Sequence, residues 1–317
     1  MRRAAVRATL APSVHNTQPW RFVLGEASLE VHADWNRRLR ILDPRGRQLL
    51  ISCGCAVFNA RVTFAAAGYQ AVVERFPDPA QPNLLTRITL HEPRAERLAI
   101  SLLDPVIELR QTNRRRFADE PMPDDVVRDL IAVAEDEGAE LFVIKAPEHR
   151  LSVARLSRQA DELESDDPAY RAELLAWTGG DPRRLDGVPT IAVPRWLTEV
   201  AGETSARDFD TRGISVLPVE TGTNANQCLL LLGTRQDTPA AWLRAGEALE
   251  RVLLETARHG YAANPITQVI EVATTNALLR EELDLDIHPH VLLRVGRAPT
   301  TPATRRRRLV DVFEQAR

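Results

Sequence analysis

The residues best suited to chemistry lie in one short loop near the start of the chain. Residues 11–20 read Ala-Pro-Ser-Val-His-Asn-Thr-Gln-Pro-Trp, between a short amphipathic segment and an apolar one. Their hydroxyl and amide groups are neutral hydrogen-bond donors and acceptors, which suits the recognition of a polar ligand. Because Asn, Pro and Ser are also common turn formers, an ordinary surface turn is the alternative interpretation.

A second candidate is the segment that carries Arg110, Thr112 and Arg114. In an extended stretch, alternate residues point to the same side, so these three side chains would share one face. Guanidinium groups bind phosphate through paired, charge-assisted hydrogen bonds. The alternative is a solvated arginine cluster, because Arg115 and Arg116 follow directly. The run of four arginines at 305–308 has the same two interpretations.

Composition narrows the classes of function. The chain has 317 residues, is 44% hydrophobic and has a net charge of -3, which argues against nonspecific binding to nucleic acid or anionic membranes. Lys145 is the only lysine, so any anion site would be built from arginine. The three cysteines lack the spacing of a disulfide framework or zinc site. No apolar run approaches the roughly 18 residues of a membrane span, and we expect a cytoplasmic protein.

The elements that must position these residues follow from periodicity and turn signals. We expect helices at 2–11, from Gly46 to about Gly68, at 96–109 with a break at Pro105, after Pro121, and at 149–179, 240–259 and 269–282. We expect strands at 20–24, 28–33, 70–76, 85–91, 140–144, 188–193, 227–232 and 290–295. Residues 195–225 have no sustained periodicity, which is typical of a lid or a disordered segment.

The helix and strand that follow Pro121 repeat the pattern of residues 2–24. Together with the loop, several segments resemble the Acg-like branch of the nitroreductase superfamily, in which one chain is similar to two fused nitroreductase subunits. These segments are Asp43-Pro44-x-Gly46-Arg47, Ser52-Cys53-Gly54, Arg110-x-Thr112-Asn113-Arg114-x-x-Phe117, Trp242-Leu243-x-Ala245-Gly246-x-Ala248-Leu249 and Leu293-Arg294-Val295-Gly296. The resemblance covers most of the chain.

The resemblance implies an α+β nitroreductase-like fold, in which two pseudo-repeated halves each have a mixed, mainly antiparallel sheet flanked by helices. We place the first half at 1–107 and the second at 108–317. The first half keeps the loop but lacks the arginine segment, and the second keeps the arginines but has only Glu137-Gly138-Ala139 in place of the loop. We therefore expect one complete FMN site per chain, in a monomer.

Site residues are also implied by the resemblance. Pro12, Ser13 and Asn16 would meet the flavin ring or ribityl chain, and Thr267 and Gln268 belong to the stretch near the N5 edge, where the usual acidic-Gly pair is replaced. The complete expected set is Pro12, Ser13, Asn16, Arg110, Thr112, Arg114, Arg184, Thr267, Gln268, Arg306 and Arg307. Arg183 is an equal alternative to Arg184 at the pyrimidine edge of the ring, and a pair of exposed surface arginines is favoured over either placement. Trp20 is expected in the core, and His15 has no expected catalytic role.

Three functions remain open. The first is an FMN oxidoreductase that passes hydride from NAD(P)H to a nitroaromatic, quinone or similar acceptor. The second is an FMN-sequestering protein whose 195–225 segment closes over the ring, and the third is a scaffold that has lost flavin. The sequence has no Gly-x-Gly-x-x-Gly after a strand, no phosphate-binding P-loop, no His-Glu-x-x-His and no Gly-x-Ser-x-Gly. No metal site is expected.

Overall fold

The structure, a computed structural model, describes residues 1–93, 98–178, 181, 183–194, 207–211, 213, 215, 217 and 227–315. Its helices are α1 Arg2–Ala8, α2 Arg47–Ala66, α3 Asp124–Asp136, α4 Pro147–Asp166, α5 Pro168–Trp177, α6 Pro239–Arg258, α7 Gln268–Glu271 and α8 Ala273–Glu282. Its strands are β1 Trp20–Leu24, β2 Ser28–Ala33, β3 Tyr69–Arg75, β4 Leu84–Pro93, β5 Glu140–Val143, β6 Cys228–Thr234, β7 Ala262–Ile266, β8 His288–Gly296 and β9 Phe313–Gln315.

Two sheets with matching strand order form the framework. The first has the order β3-β4-β2-β1-β9 and the second the order β7-β8-β6-β5. All pairs in both are antiparallel except β1 with β9, which run parallel. Four strands of the first sheet, β3-β4-β2-β1, therefore correspond one by one to the four strands of the second, β7-β8-β6-β5. This is the α+β architecture expected from the sequence, and the matching strand order supports the predicted pseudo-repeat.

We call β1–β4 with α1 and α2 the first unit, and β5–β8 with the elements between residues 108 and 296 the second unit. The two units meet where α2 crosses α6. Each helix has 20 residues, and the eighth residue is glycine in both, Gly54 in α2 and Gly246 in α6. A Cβ built on Gly54 would lie 2.1 Å from the carbonyl oxygen of Leu243 and 2.9 Å from the Cα of Gly246. The helix backbones thus approach to a distance that only glycine permits at this point.

Local sequence explains where α2 begins and why it lies in the core. Gly46, with a φ of +75°, precedes the helix, and the Asp43 carboxylate accepts a hydrogen bond from the Leu49 amide at 2.9 Å. By length and composition α2 could cross a membrane, contrary to the expectation that no segment could. However, 89% of its most apolar window is buried inside the fold, as in a core helix of a globular domain.

Several elements differ from the sequence prediction. The predicted strand at 188–193 is wrong: Thr190–Ala192 forms a 3-10 turn and Val188 makes only one bridge, to Thr178. Pro189 and Pro194 flank this segment, and neither can donate to a strand ladder. The helix predicted at 149–179 is divided at Pro168.

Four further differences lie in other parts of the chain. The helix predicted at 269–282 is two helices that meet at Val272. Strand β7 was not predicted, because it is short and contains proline. At 96–109, the described part forms a 3-10 helix, Ala99–Val106, with Pro105 inside it. β9 was also not predicted, and through it the chain end returns to pair with β1 of the first sheet.

Candidate functional site

A cavity of about 90 Å³ lies where the two units meet. The 12–15 loop and α2 form one side of it, while the 112–114 segment, β7 and the described part of the predicted lid form the other. Its polar lining residues are Ser13, His15, Gln48, Ser52, Cys55, Thr112, Arg114, Arg207 and Thr267, and Pro12, Phe209 and Pro265 add apolar surface. The structure thus brings five predicted site residues around one cavity: Pro12, Ser13, Thr112, Arg114 and Thr267.

The 13–18 loop has an unusual backbone. His15, Asn16 and Gln18 have φ values of +46°, +53° and +50°, in the left-handed region that non-glycine residues seldom adopt. The Ser13 hydroxyl accepts a hydrogen bond from the Gln18 amide at 2.9 Å. Each such residue costs on the order of 1 kcal/mol, and such conformations are concentrated at functional sites.

Contacts from the far end of the chain hold this strained loop. The Asn16 amide nitrogen donates to the carbonyl oxygens of Gly187 at 3.0 Å and Arg305 at 3.2 Å, and its oxygen accepts from Arg306 Nη1 at 3.2 Å. Gln18 Nε2 donates to the Leu185 carbonyl at 2.9 Å. The Asn16 side chain therefore fixes the loop to the second unit, and it does not line the cavity.

Arg114 is a buried cation for which the described residues supply no compensating carboxylate. Burial lowers the pKa of Arg114 to about 10, and the charge of Arg207 contributes in the same direction. Its Nη1 has no hydrogen-bond partner among the described residues, and its guanidinium lies 4.8 Å from the centroid of the Phe209 ring. A buried, unpaired guanidinium is costly unless a ligand completes it, so the cavity favours an anionic or strongly accepting group.

Arg207 and Phe209 belong to the described part of the 195–225 segment, and both project into the cavity wall. The Arg207 guanidinium pairs with Glu164 at 3.1 Å and with Glu271, and its side chain is only 7% exposed. Phe209 packs edge to face on His15 with the ring centroids 5.3 Å apart. Most of the predicted lid lies outside the described residues, but this part of it occupies space next to the loop.

His15 is neutral in this environment. Burial lowers its pKa well below the usual value, and the charges of Arg207 and Arg114 lower it further. Because Arg207 Nη1 lies 2.8 Å from His15 Nε2 and can only donate, Nε2 must accept and Nδ1 must carry the hydrogen. Nδ1 has no partner among the described groups. The Nε2 of Gln48 is a second buried donor without a partner in the cavity wall.

Thr267 and Gln268 begin α7 beside the cavity. Gln268 Nε2 donates to Asp161 Oδ1 at 2.6 Å and to Glu164 Oε2 at 3.2 Å, which ties it to α4. Gln268 lies in a smaller adjoining space of about 30 Å³ with Arg114, Arg207 and Thr267. Its Oε1 has no partner in the part of the chain that the structure describes.

Arg110 and Arg306 converge on one backbone carbonyl. Arg110 Nη2 and Arg306 Nη2 both donate to the Leu10 oxygen, at 3.2 Å and 3.0 Å. Glu250 of α6 lies beside them, with its Oε1 3.4 Å from Arg110 Nε. Burial and the charge of Arg110 lower the pKa of Arg306 to about 9. Two of the predicted phosphate ligands are therefore neighbours.

Thr112 connects these arginines to the cavity. It lines the cavity and also an open cleft of about 890 Å³, whose wall includes Arg110, Arg297 and Tyr261. An elongated ligand could thus have one end in the cavity and the other near Arg110.

Two predicted residues lie elsewhere. Arg307 donates to the carbonyl oxygens of Gln18 at 3.2 Å and Asp311 at 2.8 Å, so it supports the loop from behind. Arg184 pairs with Asp186 and lies over the Trp177 ring, 5.0 Å from its centroid. Neither residue lines the cavity. The alternative, Arg183, is 89% exposed and pairs with Asp181.

Several residues that line the cavity were not predicted from the sequence as site residues: His15, Gln48, Ser52, Arg207 and Phe209. Ser52 shows why such residues matter, because its hydroxyl accepts a hydrogen bond from the Val14 amide at 3.1 Å and so anchors the loop to α2. The Ser52-Cys53-Gly54 segment was the signal that could have identified it. Arg207 and Phe209 occupy a segment without periodicity, which offers no comparable signal.

The arrangement defines a class: an α+β protein with two similarly ordered sheets and a polar, cationic cavity that is lined from both parts of the described chain. Comparison with family models finds no match. A protein of Mycobacterium tuberculosis H37Rv named "Putative NAD(P)H nitroreductase Rv3131" is 35% identical over 327 residues, which cover 99% of this chain and 91% of the relative. A second, named "Putative NAD(P)H nitroreductase acg", is 32% identical and covers 99% of this chain and 95% of the relative.

The chain therefore belongs to the nitroreductase family, in its Acg-like branch, and the fold predicted from the sequence is confirmed. Among solved structures, the FMN and NADPH-dependent nitroreductase NfnB from Sphigopyxis sp. strain HMH covers 67% of this chain and 97% of its own, with 18% identity and a TM-score of 0.42. A TM-score and an identity this low do not support any conclusion about the site.

Proposed function

We propose that this protein binds FMN and acts as an NAD(P)H-dependent oxidoreductase on a nitroaromatic, quinone or similar acceptor. The observation that carries the proposal is the shared cavity, in which Pro12 and Ser13 from one unit face Thr112, Arg114 and Thr267 from the other. Bound FMN would supply hydride transfer between a nicotinamide and an acceptor. The names of the two mycobacterial relatives agree with this activity.

The donor set fits such a ligand. Arg114 Nη1, Gln48 Nε2 and His15 Nδ1 are buried donors without partners among the described residues, so a ring rich in acceptor atoms would satisfy them. Arg114 would also favour the negative charge that a reduced flavin carries. Arg110 and Arg306 would hold the phosphate, and Thr112 would lie along the chain between ring and phosphate.

A second candidate function is storage of FMN without turnover. A cavity of about 90 Å³ is smaller than the roughly 300–1,000 Å³ of typical ligand pockets. Arg207 and Phe209 must therefore withdraw from the ring site for FMN to enter, or shift to pack against the ring once it is bound. If they pack against the ring, they also exclude a nicotinamide donor. The ion pairs of Arg207 with Glu164 and Glu271 favour this closed arrangement.

One anaerobic experiment tests both functions. The protein is loaded with FMN, freed of excess flavin, and mixed with NADPH and then NADH while its visible spectrum is recorded. Bleaching within seconds supports the oxidoreductase, and a spectrum that stays yellow supports storage. A protein that cannot retain FMN contradicts both functions.

The Arg207→Ala variant tests whether residues 207–209 block access to the flavin, because it removes the guanidinium that joins them to α4 and α7. Under the storage function, this variant should be bleached at least tenfold faster than the unmodified protein. Arg155→Ala, which removes an exposed partner of Glu282, is the matched control and should leave the rate unchanged. Equal rates in all three proteins would show that Arg207 does not limit access.

A further inference from the structure

Glu250 is a buried carboxylate that the proposed function does not use. Its side chain is fully buried in α6, and neither carboxylate oxygen has a hydrogen bond of ordinary geometry among the described residues, although the Asn59 side chain lies close enough to lower its pKa. An unsatisfied buried carboxylate is costly unless charges around it compensate. The charges that do so here are those of Arg110 and Arg306, the two predicted phosphate ligands.

The groups around Glu250 come from three parts of the chain. Arg110 approaches from the segment after the 99–106 helix, with its Nε 3.4 Å from Glu250 Oε1, and Arg306 from the C-terminal segment. Asn59 and the protonated thiol of Cys55 face it from α2. Asn59 in turn donates weakly to the Arg7 carbonyl of α1 at 3.4 Å. Among the described residues, the charges that act on the Glu250 carboxylate are those of two cations, Arg110 and Arg306.

We propose that Glu250 is a positioning residue that occupies the electrostatic place of the ligand phosphate: it keeps Arg110 and Arg306 together, and it takes up a proton when a phosphate monoester dianion binds to them. This inference rests on the proposed function. The geometry gives the reason, because Arg110 cannot neutralise a phosphate and a carboxylate at the same time. A second negative charge beside two cations would favour the neutral acid form of Glu250.

The pKa of Glu250 supports the same conclusion. Burial raises it to about 7, although Arg110, Asn59 and Arg306 oppose the shift. The carboxyl group therefore changes charge near neutrality even without a ligand. Because the neutral form accommodates the phosphate and the anion competes with it, the affinity for the phosphate should fall as the pH rises above about 7.

The test compares FMN with riboflavin, which lacks the phosphate. Flavin fluorescence titrations between pH 6.8 and 8.3 give the dissociation constants for the unmodified protein and for Glu250→Gln. FMN should bind the unmodified protein about tenfold more weakly at the upper pH, whereas Glu250→Gln should bind it tightly at every pH. Riboflavin should show no pH dependence with either protein.

Calorimetry of the unmodified protein gives a second measurement that needs no variant. FMN binding near pH 8, measured in buffers with different ionisation enthalpies, should take up close to one proton, and riboflavin binding should take up none. A flat FMN profile, or no proton uptake, overturns the role of Glu250 while leaving the proposed function intact. If Glu250→Gln weakens FMN binding equally at all pH values, Glu250 is only a structural partner of Arg110. If FMN does not bind at all, both the proposed function and this inference are wrong.

Discussion

At the scale of single residues, the site combines a strained loop with a poorly compensated cation. The left-handed residues His15, Asn16 and Gln18 persist because hydrogen bonds from the second unit hold them. Arg114 is buried with no carboxylate near it in the described structure. Both features cost folding free energy, which is typical of residues that serve binding more than stability.

The Arg114→Met variant measures what this guanidinium costs in folding free energy and what it contributes to FMN binding. Methionine keeps an unbranched side chain of similar length without the charge, so the free energy of unfolding of the ligand-free protein should rise by about 1–2 kcal/mol. The affinity for FMN should fall roughly ten- to a hundredfold, because one charge-assisted contact is lost. Chemical denaturation and flavin titration measure the two effects.

Arg183→Met is the control for that prediction. Arg183 is 89% exposed and pairs only with Asp181 among the described residues, so its replacement should change neither quantity appreciably. If Arg114→Met destabilises the ligand-free protein, the guanidinium has a stabilising role in the fold, and the argument from an uncompensated charge is wrong.

At the scale of elements, the crossing of α2 and α6 determines how the units meet. Gly54 and Gly246 allow the backbones to touch, and residues on either side, Ser52 and Cys55 of α2 and Leu249 of α6, line the cavity. A shift at this crossing would therefore move the loop anchor Ser52 relative to the second unit. The cavity depends on the crossing as much as on its own polar residues.

Gly54→Ala should weaken this crossing. Alanine is the better helix former by about 1 kcal/mol, yet its Cβ would lie 2.1 Å from a backbone oxygen that cannot easily move. We expect a net loss of about 3 kcal/mol in the free energy of unfolding, measured by urea denaturation.

Gly68→Ala provides the comparison for Gly54. Gly68 has a φ of +84° but nothing within 4 Å of a built Cβ, so alanine there should cost only about 1 kcal/mol of backbone strain. Equal losses at the two positions would mean that contact between the helices does not limit the substitution.

Most elements could be predicted from sequence because their signals are local. The apolar alternation of β1 and β2 and the Asp43–Gly46 start of α2 are examples. The strand predicted at 188–193 failed because Pro189 inside it cannot donate to a strand ladder, and among the described residues only Val188 forms a bridge, to Thr178. β9 was missed because its three residues form a strand only through β1, nearly 300 positions away along the chain. Arg110 and Arg306 are also far apart along the chain, so only the resemblance implied that they lie close together. Nothing in the sequence indicated that both donate to the Leu10 carbonyl.

At the scale of the whole molecule, the two units are not equivalent. Aligning α2 with α6 at their central glycines matches Cys55 with Glu247, and the same offset matches Thr267 with Arg75. The cavity has the Cys55 thiol and the Thr267 hydroxyl. The corresponding positions carry the Glu247 carboxylate and the Arg75 guanidinium, and Glu247 Oε1 lies 2.6 Å from Arg75 Nε. An ion pair thus occupies the positions that correspond to the two cavity residues, which supports the prediction of one site per chain.

Glu247→Gln tests this asymmetry. Glu247 is almost fully buried and pairs with both Arg75 and Arg61, and Arg61 also pairs with Glu137 at 2.6 Å. Loss of the carboxylate leaves two guanidiniums without their shared partner, so the free energy of unfolding should fall by about 3 kcal/mol. The affinity for FMN and the ratio of one flavin per chain should not change, because no residue of the network lines the cavity.

Glu282→Gln is the control, because it affects an exposed pair with Arg155 and should cost less than about 1 kcal/mol of unfolding free energy. A second bound flavin in Glu247→Gln would instead indicate that only this carboxylate closes an otherwise intact site, and that the two units retain more of their symmetry than the ion network suggests.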